Sequence, residues 1–259
     1  MTVDTDLRVA RGNAWVTCPR PNPAARVRLF CLPYAGGGAS AYRAWSAQAS
    51  QAIEVCPIQL PGRENRLRER AHTRLAPLLA ELVAAIYPYL DKPFALFGHS
   101  LGALIAFQLA RQLRREYLIK PIYMFVSGRV APQAVDDTPP TYLLSEDTFI
   151  AQLRTLNGTP ESILRNTELM QMILPTLRAD FAVNETYAYQ DDAPLDAPIS
   201  AFGGFDDPKA SAADLEHWRR QTSSAFSLRM LPGDHFFLNA NPATLLRAVE
   251  QDLTPVLFP

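Results

Sequence analysis

Short apolar segments alternate with stretches that carry apolar residues at helical spacing along most of this chain. A short run that is apolar on both faces is typical of a central strand in a parallel sheet. Such runs predict strands at 27–32, 54–60, 94–97, 122–126, 197–202 and 226–231. Helices are predicted from about residue 40, after residue 100, and at 75–90, 143–156, 168–187, 214–222 and 242–252. The alternation predicts an α/β fold with a mostly parallel central sheet flanked by helices, and Pro57 predicts an edge or bulged position for the second strand.

The segment FALFGHSLGALI at 94–105 carries the strongest functional signal. It consists of a short apolar strand, a sharp turn with Ser100 at its tip, and the start of a helix. This is the strand–nucleophile–helix elbow of the α/β-hydrolases. Gly98 and Gly102 flank the turn because side chains there would collide across it. A structural serine in an ordinary turn is the alternative, and the strand and helix on either side favour the elbow.

A base and an acid follow Ser100 in the order found in these hydrolases. Of the four histidines, His235 is the one that lies downstream of both candidate acids and in a loop after a predicted strand. Asp206 and Asp207 both follow the fifth strand, and Pro208 favours an extended backbone at Asp207. From the residues alone both acids remain candidates. In either case His235 would take the Ser100 proton during attack on an acyl carbonyl, while the carboxylate holds the imidazole tautomer.

The segment LPYAGGG at 32–38 follows the first strand. In a hydrolase this loop supplies one oxyanion-hole amide, and the residue after the nucleophile supplies the other. We therefore expect the Ala35 and Leu101 amides to bind the oxyanion. A phosphate-binding role is disfavoured because neither GxxxxGK[ST] nor GxGxxG with a later acid occurs at this position. A plain strand-to-helix turn remains the alternative.

The strand–helix alternation stops between residues 136 and 190. This segment predicts a helical lid insertion within a single domain that spans residues 1–259. Pro175 predicts a kink or a break in the second of its long helices. Four apolar residues of that helix, Leu169, Met172, Ile173 and Leu177, are predicted to line the substrate pocket. Ordinary core packing is the alternative interpretation of this stripe.

The composition excludes several classes of protein. Hydrophobic residues make up 48% of the chain and charged residues 20%, which is enough to form a sizeable core. The net charge of −1 argues against general nucleic-acid binding. Three cysteines without a CxxC motif suggest neither a disulfide framework nor a metal site. No apolar signal core or membrane-length segment is present, so we expect a cytoplasmic protein without membrane attachment.

Eight segments together resemble the type II thioesterases that accompany non-ribosomal peptide and polyketide synthases. They are LFCLPYAGGGAS (29–40), QLPGRENR (59–66), FGHSLGALIAFQLAR (97–111), SGRVAP (127–132), LNGTPESIL (156–164), LMQMILPTLRADF (169–181), FGGFDDP (202–208) and LPGDHFFL (231–238). The resemblance extends over about residues 26–255. It implies an α/β-hydrolase fold with a helical lid, Ser100 as nucleophile, Asp207 as acid and His235 as base, and oxyanion-hole amides at Ala35 and Leu101.

The resemblance also implies a function and a partner. Family members remove stalled or wrong acyl groups from the phosphopantetheine arm of acyl or peptidyl carrier proteins. We therefore expect a carrier-protein partner, no nucleic acid, a monomer, and no metal or other cofactor. Three alternatives stay open: a medium-chain fatty-acyl thioesterase, a small-molecule carboxylesterase, and a non-catalytic carrier-binding protein.

A local cluster of positive charge is a candidate docking surface for the carrier. It combines Arg63, Arg66, Arg68, Arg70 and Arg74 with Glu64 and Glu69. Carrier domains of the family are generally acidic around the serine that bears the arm, which would suit this cluster. An ordinary solvated loop is the alternative interpretation.

Overall fold

The centre of the fold is one parallel sheet. In the computed structural model, which describes residues 13–134, 139–156 and 158–258, six strands form this sheet in the order β2-β1-β3-β4-β5-β6. The strands are β1 (Val27–Leu32), β2 (Ile53–Pro57), β3 (Phe94–His99), β4 (Tyr123–Ser127), β5 (Ile199–Gly204) and β6 (Phe226–Leu231). The predicted α/β fold with a parallel sheet is therefore confirmed. β2 lies at an edge, as Pro57 indicated, because proline lacks the amide that an inner strand donates.

Helices follow most strands and cover the sheet. They are α1 (Arg43–Gln48), α2 (Leu75–Ile86), α3 (Leu101–Tyr117), α4 (Glu146–Leu156), α5 (Glu161–Leu164), α6 (Thr167–Glu185), α7 (Ala212–Glu216), α8 (Phe237–Ala240) and α9 (Pro242–Leu257). Short 3₁₀ turns occur at Ala39–Tyr42, Glu64–Arg66, Tyr87–Tyr89, Thr141–Leu143 and His217–Gln221. None of the described helices has the length and apolar character needed to cross a membrane.

The two faces of the sheet pack against different helices. Along β1, Phe30 and Leu32 point to the core beneath α2 and α3, whereas Leu29 and Cys31 point to the core beneath α1 and α9. This alternation follows from the two-residue period of a strand. Every residue of β1 is buried, which explains why the strand is apolar on both faces apart from Arg28, which pairs with Glu54.

The helical insertion between β4 and β5 has a small apolar core of its own. This core contains Phe149, Leu153, Leu164, Met170, Leu174 and Leu177. Pro175 lies inside α6, which continues to Glu185, so of the predicted kink or break the break is wrong and the kink stays a prediction. Proline has no amide that could donate to the Gln171 carbonyl. Pro175 and Gln171 are both exposed, so water can donate to that carbonyl instead. The predicted start of the insertion at Asp136, together with Asn157 and the first twelve residues of the chain, lies outside the described residues.

Candidate active site

The turn between β3 and α3 has the geometry of the predicted elbow. Ser100 adopts φ 54° and ψ −115°, a strained conformation for a residue with a side chain. A Cβ on Gly98 would lie 2.1 Å from the Gly102 carbonyl oxygen, and one on Gly102 would lie 2.1 Å from the Leu32 carbonyl oxygen. Both glycines are therefore required by backbone contacts, as the sequence suggested. The turn places Ser100 at the carboxyl end of β3 and at the N-terminus of α3.

A hydrogen-bonded chain connects Ser100, His235 and Asp207. The Nε2 atom of His235 lies 3.1 Å from Ser100 Oγ, and its Nδ1 atom lies 2.9 Å from Asp207 Oδ2. The three residues follow β3, β6 and β5, whose carboxyl ends meet at one edge of the sheet. The arrangement has the geometry that nucleophilic serine catalysis needs, with a base in reach of the hydroxyl and an acid behind the base.

The structure separates the two candidate acids. The Asp207 side chain is inaccessible to solvent, and its Oδ1 atom accepts the Lys209 amide at 2.8 Å. This second contact fixes the carboxylate plane while Oδ2 faces His235. Asp206 is exposed, and its backbone amide donates to Gly233 O at 3.0 Å. The geometry therefore favours Asp207, in agreement with the resemblance.

His99 lies beside His235, which sequence analysis did not predict. Its ring is fully buried, 5.2 Å between centroids from His235, and its Nδ1 atom lies 2.9 Å from Ser127 Oγ. Burial, together with the nearby His235, holds the pKa of His99 well below its ordinary value. His99 therefore stays neutral and leaves His235 as the base that contacts Ser100.

The two amides predicted for the oxyanion hole flank the elbow. Leu101 is the first residue of α3, where backbone amides have no partner within the helix and carry partial positive charge. Ala35 lies in the turn after β1 and is half-buried. Neither amide donates to an acceptor within the described part of the chain, so both remain able to bind an oxygen atom.

A cavity of about 370 Å³ lies between the Ala35 loop, the loop after β2 and the helical insertion. Of the four predicted pocket residues, Ile173 and Leu177 line it. Leu169 and Met172 do not, and their exposed fractions are 40% and 52%. Helical geometry explains the difference. Leu169 is on the face of Ile173 but one turn nearer the exposed end of α6, and Met172 is rotated about 100° from Ile173.

The predicted arginine cluster is only partly a surface. Arg63 and Arg66 are buried, which corrects the expectation that all five arginines face a partner. Arg66 lies 4.5 Å above the Trp15 ring, pairs with Glu69 and donates to Gln59 O. The exposed members are Arg68, Arg70 and Arg74. The spacing of the arginines could not predict which of them are buried, because the sequence of a charged segment does not depend on whether each side chain faces solvent or a buried partner.

Sequence analysis also missed Asp180, a buried carboxylate of α6. It pairs with Arg63 at 2.6 Å and accepts the Gly36 amide at 2.7 Å, next to Ala35. A signal was present in the sequence. Ile173, Leu177 and Asp180 are spaced i, i+4, i+7, so the acid continues an apolar helix face, where a carboxylate needs a buried partner. Within the described residues no group of three or more histidine, cysteine or acidic side chains is placed to hold a metal ion.

Comparison with known proteins identifies the family. The chain matches the family model described as Thioesterase domain over residues 27–253. It is 46% identical over 251 residues to the gramicidin S biosynthesis protein GrsT of Aneurinibacillus migulanus. The aligned region covers 97% of this chain and 98% of that protein.

Two solved structures have the same architecture. The RedJ thioesterase from the prodiginine biosynthetic pathway in Streptomyces coelicolor has 39% identity and a TM-score of 0.84, over 90% of this chain and 92% of that one. The type II thioesterase BorB from the borrelidin biosynthetic cluster has 35% identity and a TM-score of 0.85, over 93% of this chain and 98% of that one. Because the family model matches most of this chain, the chain belongs to the thioesterase family.

Proposed function

We propose that this protein is a cytoplasmic serine thioesterase that hydrolyses acyl groups from the phosphopantetheine thiol of carrier proteins. Its role would be to remove stalled or aberrant chains during polyketide or non-ribosomal peptide synthesis. The hydrogen-bonded chain from Ser100 through His235 to Asp207 carries the proposal. The similarity to proteins named for gramicidin S, prodiginine and borrelidin biosynthesis supports the carrier-bound thioester as the substrate.

In the acylation step, His235 Nε2 takes the Ser100 proton while Ser100 Oγ attacks the thioester carbonyl carbon. The new C–O bond places negative charge on the carbonyl oxygen, which the Ala35 and Leu101 amides bind. Removing one donor of this kind typically costs about 3 kcal/mol of transition-state stabilisation. Asp207 stabilises the imidazolium that forms, without itself taking the proton.

Collapse of this intermediate breaks the carbon–sulfur bond, and His235 gives its proton to the departing thiol. A water molecule then attacks the acyl-serine ester, with His235 again acting as the base. The products are the free acid and the carrier with its thiol restored. The cavity between the Ala35 loop and α6 is the space we assign to the acyl chain, because Ala35, Ile173 and Leu177 line it.

A panel of acylated carrier proteins, followed by intact mass, tests the proposal. We expect wild-type protein to release the acyl group and leave the phosphopantetheine arm on the carrier. The Ser100→Ala variant should fold normally and release nothing, and a serine-directed phosphonate should label wild type once, at Ser100.

The same panel separates the alternatives. Acyl-CoA and nitrophenyl esters are assayed alongside the carriers, at matched acyl length. Faster turnover of nitrophenyl esters than of any acyl carrier would favour a carboxylesterase. Strong preference for medium-chain fatty acyl groups would favour a fatty-acid thioesterase. Carrier binding without hydrolysis of any substrate would contradict an enzymatic role.

A further inference from the structure

We propose that Asp180 is a positioning residue for the oxyanion hole, so that helix α6 holds the Ala35 amide in its working orientation. This inference rests on the proposed function, in which that amide binds the oxyanion. Asp180 itself would not touch the substrate. It would act through the backbone of the turn formed by Tyr34, Ala35, Gly36 and Gly37.

The turn is held by two contacts. The Gly37 amide donates to Tyr34 O at 2.9 Å, and this carbonyl belongs to the same planar peptide unit as the Ala35 N–H group. Fixing the Tyr34 carbonyl therefore fixes the direction in which Ala35 N–H points. The central amide of the turn, that of Gly36, donates to Asp180 Oδ2 at 2.7 Å. The carboxylate thus anchors the peptide that follows Ala35.

The turn also packs closely against α6. Gly36 has φ +77°, and a Cβ on it would lie 2.5 Å from Leu177 Cδ2. The left-handed conformation favours glycine, and a side chain at this position would also have to displace Leu177. Since Leu177 and Asp180 are on neighbouring turns of one helix face, α6 fixes Gly36 by a steric contact and a hydrogen bond together.

Arg63 holds Asp180 in place. Its guanidinium binds the carboxylate with two contacts, Nη1 to Oδ2 at 2.6 Å and Nη2 to Oδ1 at 2.8 Å. The two side chains are only 6% and 2% exposed. Arg63 Nη1 also donates to Gly37 O at 3.2 Å, so the ion pair forms hydrogen bonds with the turn at both Gly36 and Gly37. Arg63 in addition neutralises a negative charge that would otherwise lie beside the developing oxyanion.

A buried ion pair is weak evidence for stability alone, because well-packed apolar residues of similar volume often stabilise a core equally well. α6 is also attached to the body independently of this pair, through Thr176 Oγ1, which donates to Gly62 O at 2.5 Å. What the ion pair adds is a carboxylate oxygen on the amide next to Ala35. This placement is what points to a role in positioning.

The test is Asp180→Asn, assayed with a short nitrophenyl ester, which reports on Ser100 and the oxyanion hole without a carrier. The asparagine oxygen can still accept the Gly36 amide, but its NH₂ group then opposes Arg63 Nη2. The bidentate pair is lost and Arg63 loses its countercharge, so the turn is held less firmly. We expect kcat to fall about 10- to 100-fold, the loss that a small misplacement of reacting groups produces, while KM changes little. Affinity for a boronate inhibitor should fall in parallel with kcat/KM, because its tetrahedral adduct places an oxygen in the hole.

Glu54→Gln is the matched control. Glu54 pairs with Arg28 at 2.6 Å, is 5% exposed, and belongs to the opposite end of the strands from Ser100. Removing this carboxylate should lower the melting temperature as Asp180→Asn does, and leave kcat and boronate affinity unchanged. Arg63→Lys keeps the positive charge beside Asp180 and should lose less activity than Asp180→Asn.

The outcomes are distinct. Equal melting-temperature losses in Asp180→Asn and Glu54→Gln, with kcat and boronate affinity unchanged in both, would overturn the proposal. If Asp180→Asn does not fold, Asp180→Glu decides, because it keeps the charge beside Arg63 and moves the oxygen that binds the Gly36 amide. Parallel losses in kcat and boronate affinity then support the proposal, and unchanged values refute it. Failure of wild type to hydrolyse any acyl-carrier thioester, or phosphonate labelling away from Ser100, would instead contradict the proposed function.

Discussion

Replacing Asp207 by asparagine tests the proposed triad through the direction of a single hydrogen bond. Asp207 Oδ1 accepts the Lys209 amide at 2.8 Å, and Oδ2 faces His235 Nδ1 at 2.9 Å. In Asp207→Asn the amide oxygen will stay on the Lys209 N–H group, since an NH₂ group there would oppose another donor. The NH₂ group then faces His235 Nδ1, which must present a lone pair to it.

This tautomer places the His235 proton on Nε2, the atom that has to accept the Ser100 proton. The expected loss in kcat is about 10⁴-fold, or about 5.5 kcal/mol of activation free energy, as for the equivalent change in other serine triads. Folding should be retained because the two side chains have the same shape. Steady-state hydrolysis of a nitrophenyl ester measures kcat, and thermal unfolding checks the fold.

Asp206→Asn is the control, since Asp206 is the exposed neighbour and makes no side-chain contact with His235 within the described structure. It should stay close to wild type. A larger loss in Asp206→Asn than in Asp207→Asn would refute the assignment of the acid and leave Ser100 and His235 in place. A loss of less than about tenfold in Asp207→Asn would refute the tautomer argument itself.

Two further predictions concern the substrate. Ile173→Ala enlarges the cavity and should shift the kcat/KM ratio for long over short acyl chains by about tenfold. Met172→Ala is the control, because Met172 is on the exposed side of α6, and it should leave this ratio unchanged. Equal shifts in the two variants would mean that the cavity does not hold the acyl chain. Reversing exposed Arg68 and Arg70 to glutamate should raise KM for an acidic acyl-carrier protein at low salt, more than at high salt, and leave a short acyl-pantetheine unaffected. Reversing Arg115 and Lys120 together, both exposed near the far end of α3, is the charge-matched control, and equal effects of the two double reversals would argue against docking at Arg68 and Arg70.

Local sequence predicted the elbow and the sheet well because their causes are local. Gly98 is required by the backbone of Gly102 and Ala103 across the turn. Gly102 is required by the Leu32 carbonyl at the end of the neighbouring strand β1, but the motif spacing already marks it as glycine. The approximate positions of the six strands follow from the short apolar runs, whereas their order in the sheet was not predicted. The order of Ser100, Asp207 and His235 along the chain then placed all three at one sheet edge, and the comparisons confirm the family that the motifs suggested.

Partners of charged side chains could not be predicted in the same way. Arg63 is 117 positions from Asp180 in the sequence, and nothing near it distinguishes a buried ion pair from a surface charge. The same is true of Arg66, which is covered by Trp15 from a distant part of the sequence. Leu169 and Met172 were predicted to line the pocket because their spacing indicated an amphipathic helix. The spacing gave no information on where along α6 the cavity ends.

Helix α6 contacts both the cavity assigned to the acyl chain and the turn that carries the proposed oxyanion-hole amide. Ile173 and Leu177 line the cavity assigned to the acyl chain, and Asp180, on the same face, holds the turn that carries Ala35. Since close-packed interiors transmit strain, an acyl chain that displaced α6 would also displace Gly36 and with it the proposed oxyanion hole. Contact with the acyl chain would then be coupled to stabilisation of the transition state. In the proposed editing role, this coupling lets the fit of an acyl chain change the rate of its hydrolysis as well as its binding.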